Sequence, residues 1–200
     1  EKCPIMEVLH PASRKKCGGP VSLTAANRLL DNVGEGDTVF FITGMACYGL
    51  AMETDGPPGV VALGRALQVG LKARPIFITH PAFIEIMTAT ATSAGFMVVP
   101  EKDIEEGWKR MPSATLVEGF PIDQKEATEK VASLFKKYGP KAVIAVEARG
   151  PNTQGEYHVI DGSNVTARES KMAMLFDEAK KKDVFTLGAL DGCGHEIGFG

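Results

Sequence analysis

Apolar and polar positions along the chain follow two alternating periods. Over 23–32, Leu23, Ala26, Leu29 and Leu30 recur every three or four residues, the spacing of one helix face, and Ser22 is placed to cap that helix. Gly34 and Gly36 end it. Residues 38–43 (TVFFIT) form a short unbroken apolar and β-branched run, which predicts a strand buried on both faces. A glycine-containing loop follows. Pro58 is suited to a first helical position, and Val60, Leu63, Leu67 and Leu71 give the next helix its inward face. The cycle then repeats: a strand at 75–79, a helix at 82–94 closed by Gly95, and a strand at 96–99. Residues 101–113 are a polar connection with a helical turn around Trp108, and 115–118 read as a strand. Strong helix formers fill 124–138, and Gly139-Pro140 stop the helix. A strand at 142–146, a long loop over 147–164, an amphipathic helix at 167–182 and a strand at 184–187 complete the series.

Short strands alternating with helices of 10–16 residues predict an α/β fold: a mostly parallel sheet with helices on both faces, a Rossmann-like three-layer arrangement. The first twenty residues, punctuated by Pro4, Pro11, Gly18, Gly19 and Pro20, read as an irregular segment, and residues 21–200 as the α/β domain. The last strand and its glycine loop have no helix after them, so the domain is expected to be truncated at its C-terminus.

Composition narrows the class. The chain has 200 residues, 44% of them hydrophobic and 24% charged, which suits one folded domain and excludes a disordered or fibrous chain. The net charge of −3 and the longest basic runs, Arg14-Lys15-Lys16 and Lys180-Lys181-Lys182, supply no basic stripe for nucleic acid. No apolar stretch approaches a membrane span. The cysteines Cys3, Cys17, Cys47 and Cys193 form no CxxC pair, which points to a reducing compartment.

Ligands of open parallel sheets bind outside the carboxyl ends of the strands. The sequence delivers Gly44, Glu53 and Asp55 there from the first strand, and His80 from the second. The strand at 142–146 delivers Glu147 and Arg149, and the last strand delivers Asp191, His195 and Glu196. The opposite strand ends carry only Asp37, Lys141 and Asp183. The segment Thr54-Asp55-Gly56-Pro57-Pro58-Gly59 opens into a helix N-terminus, which suits a carboxylate or phosphate; Asp55 could instead be the helix cap. It is neither a P-loop nor a GxGxxG fingerprint. Arg149 could clamp a substrate carboxylate or form an internal ion pair that braces its loop. That loop also holds Gly155, Tyr157 and His158, the last read as a surface histidine. In the glycine-dense segment 191–200, Glu196 and His195 could move protons, whereas Cys193 reads as a small buried hydrophobe.

Three segments in order carry a resemblance: Glu53-Thr54-Asp55-Gly56-Pro57-Pro58-Gly59; Glu147-Ala148-Arg149-Gly150 with Gly155-x-Tyr157; and Gly188-x-x-Asp191-Gly192-x-Gly194-x-Glu196-x-Gly198-x-Gly200. The chain resembles the D-glutamate cyclase-like domain family over roughly residues 20–200, and the first motif is the most specific. Domains of that family continue past the third motif. The resemblance implies a hydro-lyase that cyclises D-glutamate to 5-oxo-D-proline with loss of water. It implies a mitochondrial matrix location for a vertebrate-type member and a cytoplasmic one for a bacterial member. The family pattern admits Asn where His195 stands and keeps an acid at 196, which promotes Glu196 over His195.

Matched to that chemistry, Glu196, Asp191, Glu147 and His195 are the candidate catalytic residues, with Glu196 or Asp191 as base. Thr54, Asp55, Gly56, Gly59, Arg149, Tyr157, Gly192 and Gly194 are the candidate substrate-binding residues. Asp55, Glu147 and Asp191 could hold Mg²⁺ or Mn²⁺; without a metal, neighbouring acids would raise each other's pKa and form an acid–base pair. No nucleotide cofactor is expected. The expected partner is a small amino acid or dicarboxylate, not nucleic acid or membrane, and a homo-oligomer is left open. Competing readings are a metal-dependent enzyme acting on a phosphorylated small molecule, a non-catalytic binding module for an amino acid or dicarboxylate, and an inactive fragment.

Overall fold

A computed structural model describes residues 4–46, 51–190 and 196–197, with side chains from Glu7 onward. Six strands form one parallel sheet: β1 (Thr38–Ile42), β2 (Arg74–Thr79), β3 (Met97–Val98), β4 (Ala114–Gly119), β5 (Ala142–Val146) and β6 (Phe185–Ala189). Their order is β3-β4-β2-β1-β5-β6. The helices are α1 (Pro4–Cys17), α2 (Val21–Asn32), α3 (Gly56–Leu71), α4 (Ile84–Ser93), α5 (Ile104–Arg110), α6 (Gln124–Tyr138) and α7 (Ala173–Lys181). Among the described residues, no helix is long and apolar enough to cross a membrane.

The strands alternate between two cores, because successive side chains of a strand point to opposite faces. Val39, Phe41, Phe77, Ala142 and Ile144 meet α2, α3 and α4 through Leu29, Val60, Val61, Leu67, Met87 and Ala91. Phe40, Ile42, Ile76, Ile78, Val143 and Ala145 meet α5, α6 and α7 on the other face. Each fully buried phenylalanine contributes about 1.5–3 kcal/mol by leaving water. Phe40, Phe41 and Phe77 lie in the middle of the sheet with no exposed surface. They fix which face of each strand looks where.

The sheet order also sets the site. From β1 the chain crosses through α3 to β2 on one side, and from β5 it crosses through α7 to β6 on the other. Neighbouring strands whose connections leave in opposite directions open a crevice at their carboxyl ends. In this fold that crevice lies between β1 and β5.

Four sequence expectations are corrected. The first twenty residues are not irregular: α1 occupies Pro4–Cys17 despite Pro11. Glu7 in its first turn and Arg14, Lys15 and Lys16 in its last suit the helix dipole. Gly18 at φ +73° and the Gly19 N–H to Arg14 carbonyl bond (3.0 Å) close it in a Schellman turn. Second, Ser22 is not the cap of α2, because the helix starts at Val21 with Pro20 at the N-cap position. Of its expected inward face only Leu29 is buried, and Leu23, Ala26 and Leu30 are exposed. Third, α3 begins at Gly56, so Pro58 is its third residue. Fourth, the helix expected from 167 begins at Ala173, because the backbone before it is fastened elsewhere: the Lys171 N–H bonds to the Pro121 carbonyl at 3.0 Å. The expected glycine loop at 191–195 and the end at 198–200 lie outside the described residues.

Candidate functional site

The crevice is built by three segments. After β1, Gly44 turns at φ +120°, where an added Cβ would collide with Thr79 Oγ1. A bridge between Ala46 and Met52 then brings the chain back, with the Glu53 N–H on the Met45 carbonyl at 3.1 Å. Gly56 opens α3 as a wedge: a Cβ there would collide with Thr43 Oγ1 and lie 3.3 Å from Glu147 Cβ. Gly59 lies against β5, its Cβ position 3.1 Å from Val146 Cγ1. The first motif is therefore pressed against the second by glycines that let the backbones approach.

Glu147 follows β5 in the left-handed region at φ +46°, an unusual conformation for a residue with a side chain, and it is buried. Such backbone is retained where the surroundings over-determine it, often at functional sites. Its N–H bonds to the Ala189 carbonyl at the end of β6 (3.2 Å). Two residues on, Arg149 forms a bridge with Glu196, and the Ile197 N–H reaches the Ala148 carbonyl at 2.8 Å. Glu196 is buried too. So the described part of the third motif joins the second, and the sheet end brings together Gly56, Glu147, Arg149 and Glu196.

Other expected site residues take different places. Thr54 and Asp55 are exposed at the entrance to α3. Asp55 occupies the N-cap position, but its side chain makes no capping bond. The first turn of α3 is also a poorer anion site than expected. Pro57 and Pro58 carry no N–H, and the Gly59 N–H is already on the Asp55 carbonyl at 3.0 Å. Of the first helical residues, Gly56 supplies the remaining donor. Tyr157 is buried, its ring 4.7 Å below the Lys171 ammonium, and burial pushes its hydroxyl far up. His158 is half-buried beside Glu156. Asp191, Gly192, Gly194, His195 and Cys193 lie outside the described residues.

Arg149 takes the bracing role that the sequence left open. Its guanidinium is only 3% exposed. It pairs through Nη1 with the Glu169 carboxylate and donates from Nη2 to the Ala46 carbonyl at 3.0 Å. Glu169, 2% exposed, was not singled out by the sequence, nor was Lys171, because both fall where an amphipathic helix was expected to show solvent a charged face. Burial raises the Glu169 carboxyl, with Arg149 and Lys171 opposing the rise. Burial lowers the Lys171 amine, which donates to the Glu169 carbonyl at 2.9 Å.

His80 is also buried. Its Nδ1 accepts the Ala82 N–H at 3.1 Å and its Nε2 donates to the Arg168 carbonyl at 3.0 Å, which places the ring proton on Nε2. At this end of the sheet, Thr43 Oγ1, Thr79 Oγ1, Arg149 Nε and Glu169 Oε1 are buried without a hydrogen-bond partner among the described residues. Unsatisfied buried polar atoms are rare, and each calls for an explanation such as a bound water, an ion or a catalytic role.

Of the three expected metal ligands, Asp55 and Glu147 are described and Asp191 is not. Among the described residues no three His, Cys, Asp or Glu side chains are grouped to hold a metal ion. Two open clefts lie at the other end of the sheet. One is lined by Asp37, Lys141 and Val184, the other by Arg65, Arg74 and Trp108. Neither includes a residue of the three motifs.

A family model described as "D-glutamate cyclase-like, C-terminal" matches residues 6–200, a span that includes most of α1 as well as the sheet. No curated protein matches the chain. The order of the three motifs, the meeting of their described residues at one sheet end and the extent of this match agree: the chain belongs to the D-glutamate cyclase-like family, matching its C-terminal domain.

Proposed function

We propose that this domain is a hydro-lyase that cyclises D-glutamate to 5-oxo-D-proline and water. The observation that carries the reading is that two buried acids, Glu147 and Glu196, lie on segments that adjoin beyond the carboxyl end of β5. The reaction moves protons without a net change. The substrate ammonium gives up two protons, its nitrogen attacks the side-chain carboxyl carbon, and the C–N bond forms. A C–O bond then breaks, and the departing oxygen takes both protons as water. Carboxylates that accept the two ammonium protons and pass them to the leaving oxygen suit this work. Glu196 or Asp191 is the proposed base. Glu147 is the proposed partner that holds a proton near the attacked carboxyl.

Positioning supplies much of the rest, since amine and carboxyl belong to one flexible molecule and only a folded conformer reacts. Arg149 is engaged with Glu169, so the substrate carboxylates fall to backbone donors: Gly56 at the start of α3, and Gly192 and Gly194 of the third motif. The Pro57-Pro58 pair weighs against a phosphorylated substrate. A phosphate on a helix N-terminus relies on several free N–H groups, and this turn lacks them. Mg²⁺ or Mn²⁺ on Asp55, Glu147 and Asp191 would polarise the attacked carboxyl; no step above depends on it.

The test is incubation with each glutamate enantiomer, with and without Mg²⁺ or Mn²⁺, followed by chiral chromatography of 5-oxoproline. The D-form is expected to yield 5-oxo-D-proline, and Glu196→Gln to slow turnover by about 100-fold or more. No product from either enantiomer removes the assignment. Tight D-glutamate binding without turnover would replace it with the binding-module reading.

A further inference from the structure

We infer that Glu169 is a positioning residue: its carboxylate holds the Arg149 guanidinium where it ties the loop after β1 to the Glu147–Glu196 rim. The inference rests on the proposed function only for its kinetic readout.

The geometry is a chain of fastenings across the carboxyl ends of four strands. Residues 168–171 run over that end. The Arg168 carbonyl receives His80 Nε2 beyond β2 at 3.0 Å. Ser170 Oγ donates to the Phe120 carbonyl beyond β4 at 2.8 Å, and the Lys171 N–H donates to the Pro121 carbonyl at 3.0 Å. Between these anchors Glu169 presents its carboxylate to Arg149, beyond β5. Arg149 in turn holds the Ala46 carbonyl, beyond β1, at 3.0 Å. The Ala46–Met52 bridge leads from there to Glu53 and the wedge at Gly56. The Arg149 backbone bridges Glu196. One guanidinium thus ties the loop after β1, through Ala46, to the segments that carry Glu147 and Glu196.

Lysine could not do the same. It has no rigid fork to reach a carboxylate and a carbonyl in fixed directions at once. Nor is a buried ion pair needed to hold such a fold together, because an apolar pair of similar volume is often neutral or stabilising in its place. What the apolar pair lacks is the bond to Ala46. This separates positioning from stability.

Three variants of the whole chain test it: Glu169→Gln, Arg149→Lys, and the double replacement Arg149→Met with Glu169→Met, which leaves no unpaired buried charge. Amide hydrogen exchange and kinetics are read on each. In all three, the peptide covering 51–56 is expected to exchange about tenfold faster while the peptides of α6 keep their protection. The kcat for D-glutamate is expected to fall by about 100-fold with KM changed by less than about threefold, the scale of a misplaced catalytic group. Unchanged exchange at 51–56 in a folded double variant overturns the inference, as does kcat within about threefold of wild type. If the wild-type chain forms no 5-oxoproline, the proposed function fails and the exchange result alone decides the role of Glu169.

Discussion

Gly56 shows most directly how single residues set this site. It lies where β1, α3 and β5 meet, and a methyl group there would strike Thr43 Oγ1 and crowd Glu147 Cβ at 3.3 Å. Gly70, in the same helix, has nothing within 4 Å of its Cβ position. Alanine is the better helix former by about 1 kcal/mol, so the two substitutions are expected to differ in sign. Gly56→Ala should destabilise the domain by about 1–3 kcal/mol through overpacking. Gly70→Ala should stabilise it by about 0.5–1 kcal/mol. Urea denaturation measures both, and equal effects would show that Gly56 is not wedged. Much at this scale was legible in the sequence. Gly56, Glu147, Arg149 and Glu196 stand out because glycines and ionisable groups gathered at strand ends suit a polar ligand and fit poorly in an apolar core. The loss of donors at Pro57 and Pro58 was overlooked when this helix start was expected to suit an anion, although proline has no N–H in any fold. Glu169 was not legible: nothing in a Glu-Ser-Lys run before an amphipathic helix distinguishes a buried acid from a solvated one.

At the scale of elements, local chemistry announced the helices it capped. Gln124–Tyr138 was delimited correctly because both of its ends are written in the chain. Asp123 accepts the Lys125 and Glu126 N–H groups at 2.9 Å each, and Gly139 leaves the helix at φ +49°. Asp123→Ala is therefore expected to cost about 1 kcal/mol in urea denaturation and to leave turnover unchanged. A cost near zero would mean that α6 is held by packing alone. The misplaced boundaries share a cause, which is tertiary bonding that local pattern does not encode. The stretch 167–172 has helical spacing, yet its backbone is used by Pro121 and its side chains by Phe120 and Arg149. At α1 the difference runs the other way. Pro4 and Pro11 suggest punctuation, yet the helix runs through Pro11 and ends only at the Schellman turn of Gly18.

For the whole molecule, the alternation of strands and helices predicted a parallel sheet covered on both faces, and the two cores are its realisation. The order β3-β4-β2-β1-β5-β6 was not legible, because buried parallel strands are near-uniform apolar runs with nothing to name their neighbours. That order matters, since it puts the reversal between β1 and β5. The fold there buries Glu169 with a raised carboxyl pKa, which has a consequence for overall stability. Between its ordinary value of 4.5 and its higher folded value, the native state binds more protons than the unfolded chain, so this group's contribution falls as pH rises through that window. Glutamine imitates the protonated form at every pH. The stability of wild type relative to Glu169→Gln is therefore expected to decline as pH rises from 4.5, read from urea denaturation across the window. A relative gain for wild type would show that Arg149 outweighs burial.

The proposed reaction needs one small anion surrounded by segments far apart in sequence. A crystal structure with 5-oxo-D-proline bound tests this most directly. The ligand is expected at the carboxyl ends of β1 and β5, in contact with Glu147, Glu196 and the Gly56 N–H. Density for it instead in the cleft of Arg65, Arg74 and Trp108, or in that of Asp37, Lys141 and Val184, would contradict a site at the β1–β5 crevice.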